Sequence, residues 1–237
     1  MPRITPILFL LLLAAAPRAG AQQLAATGKA AQESRAALKR TLRTLDSAGV
    51  FARAQQRTLK LLAPAHRAWF LVRPGLRVLE SAAGPLFGHA GDAAFVVYDG
   101  KEERLGYLLY SGADRRYGWL YNDFPVFNAL TAAHCRYSAA ESIDDRLSGE
   151  LAYLKESLLK EPAGLGEYDF LQVGPFRKNE NLLPREGCFS LYPDGRNFIS
   201  KPVLALATGL VYNDWECLAW DASKKRFVLF YGQAFAD

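Results

Sequence analysis

Few side chains in this chain of 237 residues can do acid–base or nucleophilic work: three histidines (His66, His89 and His134) and three cysteines (Cys135, Cys188 and Cys217). His134 stands beside Cys135 at the end of Leu130-Thr131-Ala132-Ala133-His134-Cys135. An imidazole titrates near neutrality, so it can take a proton from a hydroxyl or thiol held against it. It needs a nucleophile to activate and an acid to hold its tautomer. Downstream, the serines in strand-like surroundings are Ser190, in Cys188-Phe189-Ser190, and Ser200, in Ile199-Ser200-Lys201-Pro202. Asp169, in Tyr168-Asp169-Phe170-Leu171, is the candidate acid. A thiol hydrolase would instead set one of the cysteines against one of the histidines. There is no Cys-x-x-Cys and no His-x-x-x-His, so the spacing points to no metal site, and nothing implies a cofactor. Asp144-Asp145 and Glu102-Glu103 are adjacent pairs whose side chains diverge on a helix or a strand.

Leu130 to Cys135 matches the histidine-site motif of the trypsin-like serine proteases at all six positions, and the stretch resembles that family. The resemblance implies a pair of β-barrels, with His134 as the general base and an aspartate fixing its tautomer. Asp169 and Ser200 are the positions open to the other two roles. The match covers six residues. After His134 no Gly-Asp-Ser-Gly-Gly segment exists, although the family's oxyanion cradle is built from backbone N–H groups in such a turn. No cysteine precedes Cys135, whose counterpart in the family pairs with one on earlier strands.

A second constellation is aromatic. Trp119, Tyr121, Phe124 and Phe127 fall within nine residues, interrupted by Asn122-Asp123 and Pro125. Exposed together on a loop, they would form a platform for a sugar or a partner protein. Packed across strands, they would be core.

The elements that must position these groups follow from periodicity. Residues 29–48 read as a helix that ends at Gly49, and a second helix runs from Val50 to about Leu62, before Pro64. Ala68-Trp69-Phe70-Leu71-Val72 reads as a short strand, Arg77-Val78-Leu79 as another, and 81–92 as a Gly- and Pro-containing loop. Ala94–Tyr98 and Leu105–Tyr110 form a hairpin about Asp99-Gly100, and Tyr117–Tyr121 extends its sheet. Ile143, Leu147, Leu151, Leu154 and Leu158 make the stripe of one long helix over 139–160. Strands resume at Tyr168–Val173, Gly187–Tyr192, Val203–Thr208, Trp215–Trp220 and Arg226–Tyr231, the last two joined by a turn at 221–225. Those two are apolar on both faces, which is the pattern of central strands. Consecutive strands with short turns and one interrupting helix predict an α+β fold: a mainly antiparallel sheet with one long helix, preceded by an N-terminal helical segment.

Half of the residues are apolar and 22% charged, which excludes a disordered or collagenous chain. Arg3, the apolar run Ile7–Ala16 and Ala19-Gly20-Ala21 have the order of a signal peptide over 1–21, too short in its apolar part to span a bilayer. No cysteine lies near its cleavage point to carry a lipid, and no later run is long enough for a transmembrane segment. The mature protein is thus expected to be secreted or periplasmic, with a basic helical segment over 22–64 and an α+β domain over 65–237. In an exported chain a disulfide is expected, and Cys188 with Cys217, both on predicted strands, is the first choice. Residues 22–80 carry 11 Lys/Arg against 3 Asp/Glu, whereas 81–237 carry 16 against 21. The basic stretch suits an anionic envelope surface, or a solvated face; export and the acidic main domain argue against nucleic acid. With no complete catalytic set, the expected function is non-catalytic binding of a protein, glycan or envelope component. The alternative is a serine endopeptidase using His134.

Overall fold

The computed structural model describes residues 33, 35–129, 171–175, 201–207 and 215–233. Helix α1 covers 35–47, α2 Val50–Leu61 and α3 Pro64–Leu71. The strands are β1 Leu76–Ala83, β2 Ala93–Asp99, β3 Arg104–Ser111, β4 Arg116–Trp119, β5 Val126–Asn128, β6 Leu171–Pro175, β7 Pro202–Ala207, β8 Trp215–Asp221 and β9 Arg226–Gln233. The class is α+β with mainly antiparallel sheets, and the longest described helix has about 13 residues. The long helix expected over 139–160 and the strand expected over Gly187–Tyr192 lie outside the described residues.

One loop design recurs three times. Asp99 pairs with Arg104, Ser111 with Arg116 and Asp221 with Arg226, each across four residues. The last loop residue has a left-handed backbone every time: Glu103, Arg115 and Lys225, with φ of 54°, 51° and 49°. The first residue supplies the oxygen that closes the turn. Asp99 Oδ1 accepts the Lys101 and Glu102 N–H groups, Ser111 Oγ accepts that of Asp114, and Asp221 Oδ1 accepts those of Ser223 and Lys224. Short polar side chains that bond the backbone two or three residues on are what hold such turns with no glycine at the left-handed position.

These hairpins make two sheets rather than one. The first has the order β1-β2-β3-β4 and is antiparallel throughout; the second has the order β5-β9-β8-β7-β6. In the second, β5 pairs with β9 in parallel, Val126 opposite Phe227. The expectation of central C-terminal strands holds: β8 and β9 each have a neighbour on both sides, and Leu218, Phe227, Leu229 and Phe230 are fully buried. Val203, Cys217, Ala219, Val228 and Phe230 pack on one face with Ala129. The opposite face turns toward the first sheet, where Val173 lies against Gly84 and Trp220 and Phe227 meet Phe87.

Compact units divide at Thr41/Leu42, inside α1, and α2 and α3 fall in the unit that holds the sheets. Gly49, at φ 72°, ends α1 and begins α2 in a conformation that side chains resist. α2 buries Val50, Phe51, Ala54 and Thr58 and lies along β1, the edge strand of the first sheet. At the irregularity between Val78 and Glu80, the Leu79 carbonyl is taken up by Thr58 Oγ1 at 2.7 Å. β1 continues to Ala83, shortening the loop expected over 81–92.

In the run Ala68–Val72, expected as a strand, Ala68–Leu71 is helical and forms the second half of α3, with Val72 as its C-cap. Pro64 at the first helical turn presets the backbone, and His66, Trp69 and Phe70 then share one face at i, i+3 and i+4. Burial of Phe70 against Phe95 on that face outweighs the β preference of the aromatic and branched residues.

Candidate functional site

His134, Asp169, Ser200 and Cys188 all lie outside the described residues, as does the Leu130–Cys135 stretch. Ala129, immediately before it, is helical and buried. No disulfide joins described residues, and Cys217 is buried in β8. Among the described residues no three His, Cys, Asp or Glu side chains gather as a metal site requires.

The four aromatic candidates are not brought together as a platform. Trp119, half-buried, packs on the core of the first sheet over Gly106. Phe124 is 4% exposed and belongs to a separate cluster with Phe87, Trp220 and Phe227. Phe127 packs on the second sheet, and Tyr121 sits in the intervening turn with φ 72°. That turn exists because Asp123 Oδ2 takes the Trp119 N–H at 2.7 Å, which ends β4 two residues before the expected limit of Tyr121. Three of the four rings are also covered by the arginines that follow the hairpin loops. Arg104 lies 5.1 Å from the Trp119 ring centre, Arg116 5.3 Å from Phe124 and Arg226 4.2 Å from Phe127. A guanidinium over a ring occupies the face that a sugar would stack on.

A different aromatic group forms beneath α3. Trp69 stacks on Tyr117 with ring centres 3.9 Å apart and 20° between planes, and the Arg73 guanidinium lies 3.9 Å above Trp69. His66 inserts edge-on among Phe95, Tyr110 and Tyr117. Its Nδ1 lies 2.6 Å from the Tyr117 hydroxyl. Burial lowers the His66 pKa from its ordinary value. It also raises that of Tyr117 to about 12, aided by Tyr110 and opposed by Arg73. Both groups are therefore neutral near pH 7, and the pair is a short hydrogen bond between an uncharged ring and a protonated phenol. It fixes α3 to β4.

The outer side of α3 is the reverse of its inner side. Pro64, Ala65, Arg67, Ala68 and Leu71 are exposed, and Val72 follows them. Leu71 is 60% exposed and Val72 72%; Leu61, at the end of α2, is 83% exposed. Arg67 joins the two helix ends, since its Nη2 donates to the Lys60 and Leu62 carbonyls at 3.2 Å. Arg67 and Leu71 are one helical turn apart and so neighbours on the same face. Arg73 closes the other end by donating from Nη1 to the Trp69 carbonyl at 2.9 Å. Between Asp46 and Glu80 the chain has no acidic residue, while Arg53, Arg57, Lys60, Arg67, Arg73 and Arg77 all fall there. A short helix ordinarily turns polar residues to water, whereas here the outer face presents Ala65, Ala68 and Leu71 beside the exposed Arg67. Sequence reasoning missed it by reading 68–72 as a strand; the signal was Pro64, Ala68 and Leu71 at helical spacing within an acid-free stretch.

Asp92 was also missed, and its role is structural. It is 1% exposed; Oδ2 accepts the Phe87 and His89 N–H groups and Oδ1 that of Gly112. One carboxylate thereby ties the 84–92 loop to the β3–β4 turn. Nearby, His89 Nδ1 accepts the Gly91 N–H at 3.0 Å, which commits that ring to the same loop.

No described helix is long and apolar enough to cross a membrane. Comparison of the chain with protein-family models, curated proteins and solved structures returned no match.

Proposed function

We propose that the chain is an exported, non-catalytic binding protein that holds a protein, glycan or envelope component through the outer face of α3 and the end of α2. The observation that carries this reading is the solvent exposure of Leu61, Leu71 and Val72 amid cations, on helices whose other faces are well packed. Export rests on Arg3, Ile7–Ala16 and Ala19–Ala21, and places the partner outside the cytoplasm. Leu71→Glu with Val72→Glu tests the reading, because neither side chain supports the core. The variant should keep the parent's circular dichroism and lose most of its retention in the envelope fraction of the source cell. Undiminished retention would remove α3 from the function.

A second reading, a serine endopeptidase of the trypsin-like class, is favoured by the six residues Leu130–Cys135 alone. It has His134 as base with Asp169 and Ser200 in the remaining roles. Labelling by a fluorophosphonate probe that His134→Ala abolishes would establish it, and absence of labelling would dismiss it.

A further inference from the structure

We propose that the occupant of the α3 surface is an anionic phospholipid bilayer, on which the chain lies peripherally with its outward apolar side chains in the headgroup–acyl boundary. This rests on the reading of α3 as the docking face and adds the identity of the partner. The chemistry required of the occupant is double. It must take up Ala65, Ala68, Leu71, Val72 and Leu61, and it must answer the cations around them. Arg53, Lys60, Arg67 and Arg73 are exposed, Arg57 and Arg77 are half-buried, and no carboxylate occurs from Ser47 to Leu79.

A second copy of this chain meets the first requirement and fails the second. Face-to-face contact would oppose the exposed Lys60, Arg67 and Arg73 to the same residues of the second copy, and like charges brought together across an interface repel. A lipid surface meets both, because phosphates lie at the depth of the cations and acyl chains at the depth of the apolar tips. Lys60, exposed beside Leu61, can lay its stem along apolar surface while its ammonium stays at headgroup level.

The test is sedimentation of the exported form, without residues 1–21, with vesicles of phosphatidylcholine alone and of phosphatidylcholine with phosphatidylglycerol. The parent should bind the anionic vesicles about tenfold or more above the neutral ones at low salt, since each cation near the surface adds to affinity. Raising the salt should erase that ratio. Leu71→Glu with Val72→Glu should lower binding to anionic vesicles about tenfold or more, through lost insertion and added repulsion. Lys60→Gln, at an exposed position, should lower it by about fivefold and leave neutral vesicles unaffected. Equal binding to both vesicle types, or equal binding by parent and α3 variants, would overturn the lipid assignment. Envelope retention that still depends on Leu71 and Val72 would then leave the docking face standing with a protein or glycan partner. Concentration-dependent dimerisation lost in the same variants would overturn the assignment in favour of a second copy.

Discussion

Trp119 and Phe127 stand half-buried on β4 and β5, the edge strands of the two sheets, whereas Leu71 and Val72 stand in solvent on α3. Each of the two rings has an arginine from a neighbouring hairpin laid over it, and the aliphatic pair projects outward. The same loop design supplies the covering groups, because Arg104 and Arg226 are the first strand residues after a four-residue turn closed by an aspartate. An aromatic residue on a sheet edge is thus consistent with packing already completed inside the chain. Apolar side chains on the outer face of a short helix are not. Exposed apolar surface in this molecule follows from what remains uncovered rather than from where aromatic residues are concentrated.

A denaturation series breaks or sharpens this contrast. Gly118→Ala should be the most damaging, since the added methyl carbon would stand 2.7 Å from Phe124 Cε2 and 2.8 Å from Asp123 Cβ. A loss of about 1–3 kcal/mol is expected for such overpacking. Arg226→Ala uncovers Phe127 and should cost about 0.5–1 kcal/mol. Leu71→Ser with Val72→Ser should fall within about 0.5 kcal/mol of the parent, as exposed positions do. A large loss from the α3 pair would mean that its outer face is packed, and the contrast would collapse.

A smaller effect concerns the inner face of α3. His66 has its pKa lowered from 6.5 in the folded chain, so below pH 6.5 the unfolded chain binds the proton more readily. Stability from this group is complete above pH 6.5 and declines as pH falls below it. Tyr117 has the opposite sign: raised from 10.0 to about 12, it retains its proton in the folded chain, and stability declines as pH rises through that interval. Denaturant midpoints measured against pH should therefore fall on both sides of a plateau. His66→Gln should flatten the acid limb and Tyr117→Phe the alkaline limb; limbs unchanged in both variants would show that neither group titrates with folding.

Much of this architecture is legible in the sequence wherever local chemistry dictates it. Gly49 and Pro64 bound α2, and Asp99 and Asp221 announce their hairpins through the hydrogen bonds that their carboxylates make. β8 and β9 read as central because they are apolar on both faces. The misreadings arise where tertiary packing overrides local preference. Ala68–Val72 carries β-forming residues in a segment too short for helical period to stand out, and only contact of Phe70 with Phe95 decides it. The three-residue β5 is invisible beside Pro125, being held by parallel pairing with a strand 101 positions later and by the Phe227 N–H on the Pro125 carbonyl. The division into two sheets depends on such long-range pairing. Trp119, Phe124 and Phe127 look alike in sequence, and what separates a bare ring from a covered one is the position of an arginine from another element.

The most direct test of the α3 surface places a photoreactive residue at position 71, and separately at Ala222 on the exposed β8–β9 loop, in the chain expressed in its source cell. Illumination should give a defined adduct from position 71, lost when Lys60 and Arg73 are both replaced by Glu, and none from position 222. Adducts from both positions in equal yield, or from neither, would contradict the account.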